Sequence, residues 1–153
     1  MAYSEIVEFL RELDRVDNRL AGHASGLLLH SGGLGEYREL THELRNEPRD
    51  DGSVRVTLLH RFVVGLTPDF GRSHEIDLVA AVTVGDTGCS ARVAVDAHLD
   101  HAVAPLPEGR SVLWERHADA VGTGDALRFL GSAVEELCGL ENPFGPLTTF
   151  SNR

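Results

Sequence analysis

Residues 75–100 read EIDLVAAVTVGDTGCSARVAVDAHLD, and the reading of this stretch decides the fold. Ile76, Leu78, Ala80, Val82 and Val84 alternate with Glu75 and Asp77. After Gly85-Asp86-Thr87-Gly88, the residues Ala91, Val93, Val95, Ala97 and Leu99 alternate with Arg92, Asp96, His98 and Asp100. A period of two places apolar side chains on one face of a strand and polar ones on the other. Two such strands around a two-residue turn make an antiparallel hairpin. With Asp86-Thr87 as the turn, residues whose numbers sum to 173 face each other. Leu78 then meets Val95 and Ile76 meets Ala97, so the apolar faces agree. On the polar face Glu75 meets His98 and Asp77 meets Asp96.

The same period extends outward. Val54, Val56, Leu58, Phe62 and Val64 share one face of an earlier strand, with Arg55, Thr57 and Arg61 on the other. A later strand spans about 110–119 around Val112 and Trp114. Residues 36–46 fit either a helix or a strand, since Leu40, His42 and Leu44 alternate; the turn residues Pro48–Gly52 favour a strand. An amphipathic helix is expected over 4–21, capped by Ser4 and ended by Gly22, with Ile6, Phe9, Leu10, Leu13, Val16 and Leu20 at helical spacing. A Gly-rich loop follows over 22–35. A last helix is expected over about 124–138 with Leu127, Leu130, Val134 and Leu137 on its inner side and Gly139 at its end. The tail 142–153 carries Phe144, Leu147 and Phe150. The predicted architecture is a single α+β domain over 1–153, a two-layer sandwich. A four- to five-stranded antiparallel meander over about 38–119 has the N-terminal and C-terminal helices packed on one face.

Composition bounds the function. The chain has 153 residues, 42% of them hydrophobic and 25% charged, as expected for a folded domain. No apolar run reaches the ~20 residues that cross a bilayer, and the first fifteen residues lack the basic start of a signal peptide. A formal charge of −10 argues against nucleic acid as partner. All 14 basic residues are Arg, which reads as codon bias of a GC-rich bacterial genome. Cys89 and Cys138 are far apart without metal spacing, so free thiols in a reducing cytoplasm are expected. Protonating all eight His would take the formal charge from −10 to −2.

The polar face offers acids and imidazoles. Plausible flanking registers put Arg61 beside Asp77, His117 beside Asp96 and Glu115 beside His98. Facing carboxylates invite a cation; with Arg61 and His117 neutralising them, no metal is expected there. Asp96–His101, DAHLDH, resembles the HxHxDH zinc motif of metallo-β-lactamase-fold hydrolases. The resemblance covers six residues: Asp96 replaces the first His, the string continues a strand, and only 52 residues follow. His60, His74 and His101 fall on the apolar face by parity, with His74 diagonal to His101 at about 7 Å. Burial there would make the protein less stable at pH 5.5 than at 7.5. Gly122-Thr123-Gly124 is a turn and cap, and no cofactor motif is found.

These features point to a non-catalytic acidic protein-binding module, an adaptor, chaperone or immunity-type protein. Its binding residues would be Phe144, Leu147, Phe150, Glu75, Asp77, Asp96 and His98, and its partner a basic protein, with a homodimer as a further possibility through the sheet edges or tail. The alternative is a small pocket enzyme or ligand carrier that uses His74 and His101 on the concave face of the sheet.

Overall fold

The computed structural model describes residues 3–29, 36–65, 73–98 and 110–140. In chain order these form α1 (Tyr3–Leu29), β1 (Glu36–Pro48), β2 (Val54–Gly65), β3 (Ser73–Gly85), β4 (Gly88–His98), β5 (Arg110–Val121) and α2 (Thr123–Cys138). The strands lie in one sheet in the order β1-β2-β3-β4-β5, every neighbouring pair antiparallel. Both helices pack on the same face, giving the expected α+β two-layer sandwich. Among the described residues, no helix is long and apolar enough to cross a membrane.

The central hairpin has the register that its alternation requires. Leu78 pairs with Val95, Ile76 with Ala97, Asp77 with Asp96 and Glu75 with His98. Gly85 pairs with Gly88 across Asp86-Thr87, and Gly88 has φ +131°, a backbone that L side chains rarely adopt. The ambiguous segment 36–46 is strand, pairing along the full length of β2.

The core explains the choice of small residues on β4. Ala91, Val93, Val95 and Ala97 line the strand that α2 packs against most extensively. Short side chains there let the helix lay Ala126, Leu127, Leu130, Ala133, Val134 and Leu137 onto the sheet. Phe62, Ile76 and Leu58 fill the neighbouring columns, and Leu13, Val16, Leu20 and Ala24 of α1 complete the cluster. Arg116 of β5 fastens the far side. Its guanidinium lies 4.8 Å from the centre of the Trp114 ring and bonds Glu136 of α2 at 2.6 Å.

Two expectations about the helices need correction. α1 does not end at Gly22 but continues to Leu29, so the segment 22–29 is helix rather than loop. One exposed Gly costs a helix only ~1 kcal/mol, and Leu20 and Ala24 on either side of it are buried against the sheet. Nor does Ser4 cap α1, since the helix already includes Tyr3. The expected turn and cap before α2 is present: Gly122 is the N-cap, and its carbonyl accepts from the Ala126 amide at 2.9 Å.

The helices run in the same direction. Glu5, Glu8, Glu12 and Arg15 wall one cavity together with Thr123, Gly124, Leu127 and Arg128. Further along, Arg19 bonds Glu135 at 2.7 Å. An odd number of strands between two helices on one face produces this arrangement.

His23 sits on the last third of α1, half-buried, and its Nε2 has no hydrogen-bond partner among the described residues. Burial, aided by the Arg19 charge, holds its pKa below the ordinary imidazole value. As pH falls through the unfolded value of about 6.5, the unfolded chain takes up its proton first. This contribution is therefore present above that pH and lost on the way down to the lower folded value. Urea midpoints at pH 7.5 and 5.5 should show a smaller loss for His23→Leu than for the parent chain; an equal loss would contradict the assignment.

Candidate functional site

Two groups of polar side chains stand out, one on each face of the sheet. On the face without helices, Leu59, Val79 and Ala81 form a small buried cluster. Two arginines border it. Arg61 of β2 lies directly opposite Asp77 of β3 and grips it with two bonds, Nε to Oδ1 at 2.7 Å and Nη2 to Oδ2 at 2.9 Å. Glu75 stands 3.8 Å from the same guanidinium, and His98 Nε2 stands 3.6 Å from Asp77. Bonding to Asp77, reinforced by charge, raises the Arg61 pKa further above its usual range.

Arg92 makes the second grip. It donates to both oxygens of Asp96 at 3.0 and 2.8 Å, and to Glu115 of β5 at 2.8 Å. The bond to Asp96 is the main reason that its pKa is raised. Arg92 and Asp96 are four residues apart on one strand, roughly 13 Å at the usual rise. The side chain must therefore run over position 94, where Ala94 is small and fully buried. The stem of Arg92 covers the strand while its head holds the acid.

The expected rows of this face are corrected at β5. His117 pairs with Arg92 and not with Asp96, and Glu115 pairs with Ala94 and not with His98. β5 is offset by four residues from the expected register, which preserves the face but changes the partners; one-residue shifts between Cys89 and Ala91 and between Val95 and Asp96 flank this stretch. His117 bonds instead to Asp119 at 3.2 Å. Of the polar-face residues read as binding groups, Asp77 is 4% and Asp96 0% exposed. Glu75 and His98 are partly exposed.

The second group lies between α1 and the apolar face at the β1 edge. His60 of β2, placed on the apolar face by parity, is indeed there and 1% exposed. His42 of β1 is its direct cross-strand neighbour, and the two rings stack with centroids 4.2 Å apart at 13°. Asp17 of α1 reaches down to both. Its Oδ1 lies 2.9 Å from His42 Nε2 and 3.3 Å from His60 Nε2. Asp17 sits one residue from Val16 of the buried stripe, which aims a carboxylate at the helix–sheet seam.

Sequence reasoning singled out His60 but missed both partners. The signal was present for His42, which alternates with Leu44. The register shift between Glu39 and Thr41 was not legible. His74 pairs by its backbone with Val64. Its side chain, His101 and the tail residues Phe144, Leu147 and Phe150 lie outside what the structure describes.

The fold and these two groups define an α+β sandwich with an ion-paired outer sheet face and an Asp–His–His cluster under its first helix. No family model matches the chain, and neither a curated protein nor a solved structure is significantly similar to it.

The buried grip on Asp96 yields a graded expectation. Arg92→Met takes two charged donors from a carboxylate shut away from water, and should cost about 3–5 kcal/mol. Arg116→Met breaks a half-exposed pair with Glu136 and a cation–π contact, and should cost no more than ~2 kcal/mol. Chemical denaturation of both variants checks the order; equal losses would show that Asp96 does not depend on Arg92.

Proposed function

We propose that this chain is a non-catalytic, acidic protein-binding module, an adaptor, chaperone or immunity-type protein. It takes a basic amphipathic segment of another protein along the N-terminal half of α1. One observation carries the reading: Tyr3, Ile6 and Leu10 are 83%, 42% and 58% exposed on successive turns of that helix. Large apolar side chains at this spacing are the anchors by which helices and grooves recognise each other.

Charge favours a basic occupant. A cavity of about 640 Å³ between the two helices, on the other flank of α1 from the stripe, is lined by Glu5, Glu8 and Glu12 and also by Arg15 and Arg128. The formal charge of −10 would steer such a segment from a distance. The sheet edges suit pairing less well. β1 and β5 are the outer strands, both carry register shifts, and β1 reads EYRELTHELRNEP, where charges and bulges discourage a further strand. Cys89 and Cys138 are free thiols, in keeping with a reducing, cytoplasmic setting.

The test is capture from source cells with the parent chain and with an Ile6→Asp/Leu10→Asp double variant, both checked for fold by circular dichroism. The parent should retain a basic protein in stoichiometric amount, released by raised salt, and the variant should lose it. Three outcomes overturn the reading: no stoichiometric partner, equal capture by the variant, or a doubled mass of the isolated chain that the variant abolishes. The last would make the stripe a self-interface.

A further inference from the structure

We infer that Asp17, His42 and His60 form a binding site for a divalent transition-metal ion of the zinc class, which ties α1 to the edge of the sheet. The inference is independent of the protein-binding reading, since it uses other residues and a different ligand.

The donor set comes first. Two imidazole nitrogens and one carboxylate oxygen are the mixed, borderline ligands that zinc and its neighbours prefer over calcium or magnesium, which take oxygen alone. Asp17 Oδ1, His42 Nε2 and His60 Nε2 all lie within 4.8 Å of one another. They come from three different elements, so the fold and not local sequence assembles them.

The spacing comes next. With metal–ligand bonds of about 2.0–2.1 Å, neighbouring donors of a tetrahedral site stand about 3.3–3.4 Å apart. The carboxylate oxygen is 2.9 Å from one imidazole nitrogen and 3.3 Å from the other. Two edges of the ligand triangle are thus close to what an ion requires. The third needs adjustment, because rings stacked at 13° with centroids 4.2 Å apart keep the two Nε2 lone pairs in separate, nearly parallel planes. A tilt of the His42 ring supplies it. That ring is the mobile partner by position, on an edge strand with its side chain 45% exposed, whereas the His60 side chain is held at 1%.

The two exposures also set the character of the site. His60 anchors it from within the core, and His42 leaves the remaining coordination position facing solvent. In an ion-bound state each Nε2 offers its lone pair to the metal, and the proton now shared with Asp17 moves to Nδ1 or to water. The ion then replaces the two hydrogen bonds to Asp17 with coordinate bonds to all three residues.

Calorimetric titration of the full-length, untagged chain with Zn²⁺, and absorption spectroscopy with Co²⁺, test the site. The expected result is one ion per chain at micromolar affinity or tighter, with the Co²⁺ bands of a four-coordinate site. His42→Ala and Asp17→Asn should each weaken Zn²⁺ binding at least about tenfold. His117→Ala, which alters the His117–Asp119 pair, should leave it unchanged. His42 is half-exposed, so its variant is expected to fold, and the Asp17 variant keeps the shape of the side chain. Failure of the folded parent chain to bind Zn²⁺ would overturn the inference. So would binding that survives both substitutions, since the ion would then sit elsewhere.

Discussion

The pairing of β3 with β4 is the constraint on which the other parts of this molecule rest. Because side chains alternate strictly along a strand, a slip of one residue would turn Ile76, Leu78, Val93 and Val95 outward and drive Asp77 and Asp96 beneath α2. A Gly-flanked two-residue turn forbids the slip. Once that hairpin is fixed, β4 presents the alanine and valine column that receives α2, and α2 in turn receives α1. Each layer is positioned by the one before it.

The outer face shows how a sheet without helices on one side still excludes water from its centre. Leu59, Val79, Ala81 and Ala94 are buried between Arg61 and Arg92, whose heads are tied to Asp77 and Asp96 and whose stems can lie over them. Charged residues here act as a roof over small apolar ones. Such pairs bring little net stabilisation when exposed, but a pair whose acid is sealed from solvent becomes costly to break. Electrostatics on this face therefore serves packing.

Much of this was legible in the sequence because it depends on parity, which survives ignorance of distance. The register of the central hairpin, the placement of Arg61 beside Asp77, the inward face of His60 and the inner stripe of α2 all follow from counting by two or by three and four. Counting by two gives a face but not an offset along the strand. Glu115 lies beside Ala94 and His117 beside Arg92, four residues from the expected partners yet on the same face. No two-residue turn joins β4 to β5, so nothing in the alternation fixes where that pairing starts. The Asp17–His42–His60 cluster was hidden for another reason: its members lie 25 and 18 residues apart in the chain, and their meeting depends on how α1 crosses the β1 edge. Gly22 misled because its cost is small beside the burial of Leu20 and Ala24.

The odd number of strands has a geometric consequence for how the chain can be handled. Since α1 and α2 advance side by side in the same direction, Tyr3 and Cys138 sit at opposite ends of the helical layer. The 16 residues of α2 alone span roughly 24 Å. Tethers attached at the two ends would pull along the helices and load their contact with the sheet in shear, all along its length. A segment joining Cys138 directly to Tyr3 would need about seven extended residues merely to cover that span. An even-stranded relative of the same plan would bring both ends to one side, where a tight turn could join them.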